Sequence, residues 1–134
     1  MVVSMKRLPL PGETLIGGEF FMNSGGKGAN QAVAAARLGG DVCFIAKVGN
    51  DPFGSRAVDQ YKAEGIRVEH IGVDREHPSG VALIMVDEHG ENSIAVASGA
   101  NAALSQADVD SAMKAIAECD IVLMQLETPI ETVE

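Results

Sequence analysis

The sequence has few cysteines, and their positions argue against a disulfide-stabilised protein and against a cysteine-based metal site. Only two occur, Cys43 and Cys119, in separate apolar segments without Cys-x-x-Cys spacing. The three histidines (His70, His77 and His89) stand in polar or turn-like surroundings and read as surface residues. We therefore expect buried free thiols, no disulfide framework and no metal site, which is the pattern of a cytoplasmic protein.

Basic residues and long apolar runs are also scarce. Lysine and arginine number 10 against 19 acidic residues, a formal net charge of −9. Nucleic acids and anionic membranes require a basic surface, so neither is an expected partner. No segment approaches 18 consecutive apolar residues, and the first charges follow the short apolar run at Met1–Met5 instead of preceding it. The sequence therefore predicts neither a membrane span nor a signal peptide.

What the chain does contain is an ordinary globular composition around one glycine-rich stretch. Hydrophobic residues make up 46% and charged residues 22%, which suits a domain with a sizeable core. Ser24–Gln31 holds three glycines in four positions and runs into the alanine-rich segment Ala32–Gly39. A glycine loop that opens into a helix presents unsatisfied N–H groups to lone-pair-bearing ligands.

Two familiar phosphate-binding motifs are excluded at this loop. Lys27 is not followed by serine or threonine as in a Walker loop, and Gln31 stands where a dinucleotide fingerprint needs glycine. Lys27 adds three donors and Asn30 adds an amide, which together suit a polyhydroxylated or anionic small molecule. From the residues alone, a plain strand-to-helix turn remains an equal alternative.

The remaining pattern alternates strands with helices. The predicted strands are 1–5, 15–22, 42–48, 66–73, 81–86, 93–97 and 120–127. The predicted helices are 32–38, 52–64, 105–117 and one that begins at Thr128–Glu131. The second has Asp51 as its N-cap and is expected to bury Phe53, Ala57 and Tyr61 on one face. The third begins with a capping box of Ser105 and Asp108. Segments 81–86 and 93–97 are expected to form a hairpin, followed by a loop at 98–101.

Alternation of buried strands and helices predicts an α/β fold with a doubly wound, mostly parallel sheet and helices on both faces. In such sheets, ligands bind beyond the carboxyl ends of the strands. Gln125 and Glu127 stand where the strand that ends at Leu126 finishes, so Glu127 is a candidate site carboxylate. A helix-capping or loop carboxylate is the alternative at that position.

Several motifs resemble one family, the ribokinase (PfkB) family of carbohydrate kinases. Gly25–Ala32 looks like its N-terminal signature, and similar segments occur at the family's spacing across essentially the whole chain. These segments are Leu10–Thr14, Val48–Gly54, Ser79–Ile84 and Gly99–Ala102. The run Gly99–Leu104 and the pair Leu126–Glu127 are most similar to the members that phosphorylate ribose.

The resemblance implies a ribokinase-like core with a small β-sheet lid that covers the sugar. It implies a lid at 1–22 and 79–98, and a core at 23–78 and 99–134. The residues that it places against the substrate are Gly26, Lys27, Asn30, Ala82, Ile84 and Glu127. For Ala82 and Ile84, which face one side of a strand, ordinary lid packing and a subunit interface are the alternatives.

The implied activity is transfer of the ATP γ-phosphoryl group to the primary hydroxyl of D-ribose in a homodimer that associates through the lid. ATP, Mg²⁺ and a monovalent cation (K⁺) are implied cofactors. The family's first-strand Gly-x-x-Asn-x-Asp segment and its Gly-Ala-Gly-Asp segment, which carries the catalytic base, are not found here, so no catalytic residue is predicted. We expect a truncated chain that is inactive alone. Fructokinase, adenosine kinase, deoxyribose or ketogluconate kinase, and a non-catalytic sugar-binding fragment remain alternatives.

Overall fold

A computed structural model describes residues 1–134, which form two compact units. Unit 1 comprises Met1–Ser24 and Val81–Ala97, and unit 2 comprises Gly25–Gly80 and Ser98–Glu134. The strands are β1 (Val2–Ser4), β2 (Glu19–Phe21), β3 (Ala46–Gly49), β4 (Ile71–Asp74), β5 (Val81–Val86) and β6 (Asn92–Ala97). The helices are α1 (Lys27–Arg37), α2 (Pro52–Ala63), a 3-10 helix (Gly99–Ala103), α3 (Gln106–Ser111), α4 (Met113–Glu118) and α5 (Ile130–Val133). None of the helices combines the length and apolarity needed to cross a lipid bilayer.

Unit 1 is a four-stranded sheet in the order β2-β1-β5-β6. Strands β1 and β5 run parallel, whereas the two outer pairings are antiparallel. The predicted hairpin is confirmed, with Val81 opposite Ala97 and Val86 opposite Asn92. Its turn is held by Asp87, whose carboxylate accepts hydrogen bonds from the N–H groups of His89 and Glu91. Local turn chemistry therefore sets the register of this pair.

In unit 2, the glycine stretch opens into α1 as predicted, although the helix begins earlier than the alanine run. It starts at Lys27, immediately after Gly26, whose φ of 101° requires glycine. The helix ends at Arg37, within one residue of the predicted end at Leu38, and two glycines follow. Gly39 has a φ of 93°, and the N–H of Gly40 donates to the carbonyl of Ala35 at 3.0 Å. This arrangement satisfies carbonyls that the last turn of a helix leaves free.

The core of unit 2 lies where α1 and α2 meet the chain before β3. Ala32, Tyr61 and Ile66 are buried, and the ring of Phe44 meets Tyr61 edge-on at 5.4 Å between centroids. The predicted burial of Phe53 is wrong, since this side chain is 47% exposed. The core cluster contacts the later turns of α2, whereas Phe53 lies in the first turn.

Strand β3 pairs with β4 in parallel, with Ala46 opposite Ile71. The predicted strands at 42–48 and 66–73 are longer than the observed ladder. Only an isolated bridge between Cys43 and Arg67 precedes it, because the chain turns at residues 69–70 and interrupts the pairing. A turn in one strand removes the partner of the other, so residues 42–45 are extended without being part of a regular sheet.

The capping box predicted at the start of α3 is confirmed. Ser105 and Asp108 exchange side-chain to backbone hydrogen bonds in both directions. The single predicted helix over 105–117 is instead two short helices that break at Ala112. Ala112 is completely buried, and its N–H donates to Val109, three residues back, which tightens the turn and ends α3. The predicted loop at 98–101 is likewise the start of the 3-10 helix.

The largest departure from expectation is the segment at 120–127. It was expected to be a buried parallel strand, but it forms no ladder, and Ile121 and Leu126 are 83% and 69% exposed. An extended segment becomes a strand only where a neighbouring backbone pairs with it, and no strand of unit 2 does so. Cys119, predicted to be buried, is exposed at the start of this segment. Helix α5 begins at Ile130, within the start predicted at Thr128–Glu131, and no side chain caps it.

Candidate functional site

An ion pair joins the start of α1 to the end of the segment at 120–127. The Lys27 ammonium donates to the carboxylate of Glu127, although 100 positions separate them in the chain. Their side chains are 71% and 49% exposed, so both remain accessible to a ligand from solvent. A pair this exposed contributes only about 0–1 kcal/mol to folding stability. The pair therefore contributes little to the stability of the fold.

The local sequence explains why Lys27 stands at this point. Gly26 is the residue before the helix, and its positive φ turns the chain so that the first N–H groups of α1 face outward. No side chain caps them. The helix dipole adds partial positive charge at the same end, so Lys27 and the backbone form one donor-rich surface.

Asn30 belongs to the same first turn of α1. Its backbone N–H donates to the carbonyl of Gly26 at 2.9 Å, which fixes the turn, while its side chain is exposed. The amide offers two donors and one acceptor. Gly26, Lys27 and Asn30 are therefore brought together by the helix itself.

Gln125 positions Glu127. Its side-chain oxygen accepts a hydrogen bond from the N–H of Glu127, and its aliphatic carbons lie against Gly28. A Cβ at Gly28 would stand 3.5 Å from Gln125 Cγ and 3.8 Å from Phe44, which are ordinary contact distances, so Gln125 packs next to this turn of α1. Gln125 was not among the predicted site residues. Its position two residues before Glu127, at the same end of the segment, was the available signal.

The charge pattern of this cluster defines what it can bind. Each charge is offset by the other, and the uncapped N–H groups and the Asn30 amide belong to the same first turn of α1 as Lys27. A cation would meet the ammonium of Lys27, and an anion would meet the carboxylate of Glu127. Neutral hydroxyl groups can both accept from Lys27 and donate to Glu127. The arrangement therefore favours a polyhydroxylated ligand.

The other two predicted residues belong to unit 1. Ala82 and Ile84 are half-buried on the central strand β5, where they face Val96 and Ile94 across the pair with β6. They lie two positions apart and so point to the same side of the strand. Leu83 between them points to the other side and is 54% exposed.

Comparison with known proteins identifies relatives over nearly the whole chain. The model of the pfkB family carbohydrate kinases matches residues 2–132. Ribokinase from Haemophilus influenzae is 47% identical over 99% of this chain and 44% of its own length. Ribokinase from Bacillus subtilis is 43% identical over the whole chain and 45% of its own length. The chain therefore spans less than half the length of these relatives.

The solved structures agree with the sequence relatives. Ribokinase from Thermotoga maritima superposes with a TM-score of 0.86 at 36% identity, over 98% of this chain and 43% of that one. A structure of Arabidopsis thaliana ribokinase complexed with ribose and ATP superposes with a TM-score of 0.83 at 31% identity, over 98% and 44% of the two chains. The predicted ribokinase-like α/β fold is thus confirmed for the part of it present here, and the chain belongs to the pfkB family of carbohydrate kinases.

Proposed function

We propose that this chain supplies the sugar-binding and lid elements of an ATP-dependent sugar kinase that phosphorylates the primary hydroxyl of D-ribose. The observation that carries the proposal is the Lys27–Glu127 pair at the start of α1, together with the exposed amide of Asn30. Relatives named ribokinase at 43–47% identity support the choice of ribose. Relatives named deoxyribokinase are 38% identical, which makes a deoxypentose the second candidate.

In this proposal, each group of the cluster has a role towards sugar hydroxyls. Glu127 accepts hydrogen bonds from hydroxyl groups, and Lys27 donates to their oxygens. Asn30 and the free N–H groups after Gly26 fix the orientation of the ring. Correct orientation of the reacting hydroxyl is a large part of what phosphoryl transfer requires from a protein. None of these residues acts as the base.

Unit 1 is proposed to be the lid, with Ala82 and Ile84 as its apolar contacts to the sugar. Closure of such a sheet would exclude water, which would otherwise compete for the phosphoryl group. ATP, Mg²⁺ and K⁺ are proposed cofactors of the kinase that contains these residues. The free cysteines support a cytoplasmic location.

A chimera tests the substrate assignment. Residues 1–134 would be joined to the remaining segment of Haemophilus influenzae ribokinase, the 47% identical relative, and assayed for ATP-dependent phosphorylation of D-ribose, deoxyribose, fructose and adenosine. The relative itself is the matched control, and circular dichroism shows whether the chimera is folded. We expect ribose to give the highest kcat/KM. A tenfold preference of the folded chimera for fructose or adenosine contradicts the ribose assignment.

We also propose that two copies associate through the sheet of unit 1. Strand β6 lies at the edge of this sheet, and its Ile94 and Val96 are 52% and 68% exposed. An uncovered edge with apolar side chains is a template for pairing with a second chain.

Analytical ultracentrifugation of variants with a charge on this edge tests the association. We expect a dimer for the unmodified chain and mainly monomer for Val96→Lys, because a lysine on an edge strand opposes pairing. Leu123→Lys is the matched control, since Leu123 is 65% exposed in unit 2. A dimer that persists in Val96→Lys and is lost in Leu123→Lys assigns the association to the segment at 120–127 and contradicts the proposal.

A further inference from the structure

A second cluster of ligand-type side chains lies in unit 2 and shares no residue with the candidate sugar site. The Cys43 sulfur, a carboxylate oxygen of Glu69 and an imidazole nitrogen of His70 all lie within 4.8 Å of one another. Cys43 and His70 are half-buried, and Glu69 is exposed. The cluster therefore has two sheltered ligands and one side that opens to solvent.

The backbone on both sides of this cluster is held in place by hydrogen bonds. Cys43 forms the isolated parallel bridge with Arg67, and the N–H of Phe44 donates to the Arg67 carbonyl at 3.1 Å. The N–H of Ala46 donates to the carbonyl of His70 at 3.4 Å. The chain segments that carry the thiol and the imidazole are thus linked on either side of the cluster.

The identities of the three groups select one class of cation. Thiolate and imidazole with one carboxylate are ligands of Zn²⁺ and related borderline-soft divalent ions, whereas Mg²⁺ and Ca²⁺ prefer oxygen alone. Tetrahedral bonds of about 2.0–2.3 Å place neighbouring ligand atoms roughly 3.3–3.6 Å apart. Because the three atoms lie within 4.8 Å of one another, each pair must close by at most roughly 1.5 Å, and all three side chains would contribute to that movement.

We propose that Cys43, Glu69 and His70 bind a Zn²⁺-class divalent cation, with water as the fourth ligand. On binding, the Cys43 thiol releases its proton to solvent and the sulfur donates to the metal as thiolate. Neutral His70 donates a ring nitrogen lone pair, and Glu69 binds as the carboxylate. One proton is released for each ion bound, and no oxidation or reduction takes place.

Arg67 competes with the cation for one ligand. Its guanidinium lies 3.7 Å from the Glu69 carboxylate and 3.2 Å from that of Asp41. Both contacts are largely exposed, and such pairs are weak enough for Glu69 to be released. Removal of this competitor should tighten metal binding. If Arg67 instead supported the site, its removal would weaken metal binding.

A bound cation would fasten the chain before β3 to the turn before β4. Before the regular ladder begins, these two segments are joined only by the isolated bridge of Cys43 with Arg67 and by the hydrogen bond from Ala46 to His70. A ligand that binds only the folded state raises the melting temperature in proportion to the logarithm of its concentration. The site is therefore inferred to be a stabilising one that does not depend on sugar binding.

Titration of the 134-residue chain with Co²⁺, a spectroscopic substitute for Zn²⁺, tests the site directly. We expect a thiolate-to-cobalt charge-transfer band in the near ultraviolet, displaced by Zn²⁺, and a higher melting temperature in the presence of Zn²⁺. Cys43→Ser should abolish the band, and His70→Gln should weaken Co²⁺ binding at least tenfold, because even loss of an outer partner costs about 10–100-fold. Arg67→Gln should tighten binding.

Matched controls are Cys119→Ser and His77→Gln, which remove an exposed thiol and an exposed imidazole outside the cluster. Both should retain the band and the rise in melting temperature. The melting temperature of each variant is also measured in EDTA, which shows whether the substitution unfolds the chain in the absence of metal. If Cys43→Ser is unfolded, the proposal is judged from the Co²⁺ affinities of His70→Gln and Arg67→Gln. Absence of the band in the unmodified chain, or its loss in Cys119→Ser with retention in Cys43→Ser, overturns the proposal.

Discussion

Replacing Asn30 with alanine is expected to raise the KM for ribose of the chimeric kinase by about 5- to 150-fold, which corresponds to ~1–3 kcal/mol. The amide is exposed in the first turn of α1, beside the Lys27–Glu127 pair, and its loss leaves sugar hydroxyls without a partner. Alanine is the residue most favourable to helix. The melting temperature should therefore stay the same or rise, while sugar binding weakens.

Asn50→Ala is the matched control for this prediction, because Asn50 is an exposed amide that lies outside the cluster of Lys27 and Glu127. It should leave the KM for ribose unchanged. Steady-state kinetics and a melting curve are recorded on the same preparations. A lower melting temperature with an unchanged KM in Asn30→Ala would assign Asn30 to the structure of the helix start and would contradict its role in the sugar site.

Features that depend on neighbouring residues were predictable from the sequence. The stop of α1 at Gly39–Gly40 requires only backbone freedom two residues beyond the last turn. The box of Ser105 and Asp108 lies within one helical turn, and the hairpin of β5 and β6 is closed by the Asp87 turn. In each case the interacting groups are a few positions apart, so the local sequence contains the whole interaction.

Features that depend on a distant partner were not predictable from local pattern. Residues 120–127 carry a strand-like apolar run, but whether they form a strand depends on a neighbouring backbone, and none pairs with them. The turn at residues 69–70 shortened the ladder expected from residue 42 onwards. It also brought His70 and Glu69 to Cys43, a grouping that no motif spacing indicates.

The candidate site also combines features set by neighbouring residues with features set by distant partners. The residues alone predicted a donor-rich glycine loop that contains Lys27 and a candidate site carboxylate at Glu127, without evidence that the two meet. The family resemblance placed them in one site, and the structure pairs them. Gln125 was missed because its contact with Gly28 joins two positions that are far apart in the sequence.

The largest loss of stability is expected from Asp51→Ala. One carboxylate oxygen of Asp51 accepts from the N–H of Gly54 and from the Ser79 hydroxyl, and the other accepts from the Ser79 N–H, all at 2.7–2.8 Å. The buried Ser79 hydroxyl in turn accepts from the N–H of Gly49. Asp51 therefore caps α2 and also joins its start to the chain between β4 and β5.

Alanine at this position removes the cap, which costs about 1 kcal/mol, and leaves the Ser79 donors unpaired, for a total of about 2–4 kcal/mol. The melting temperature should fall by roughly 10 °C. Asp51→Asn keeps one acceptor oxygen and should lose less. Asp59→Ala, which removes an exposed carboxylate from the same helix, is the matched control and should change stability by less than about 0.5 kcal/mol.

The effect of Asp51→Ala should also depend on pH. Hydrogen bonds from the N–H groups of Gly54 and then Ser79 hold the pKa of Asp51 below its ordinary value. Its contribution is therefore complete above the carboxyl pKa of the unfolded chain, about 4, and is lost as the pH falls through the lower folded value. Melting curves of the unmodified chain and Asp51→Ala should differ most at neutral pH and converge in acid. A difference that stays constant down to the acid-unfolding range would show that Asp51 acts through packing and not through its charge.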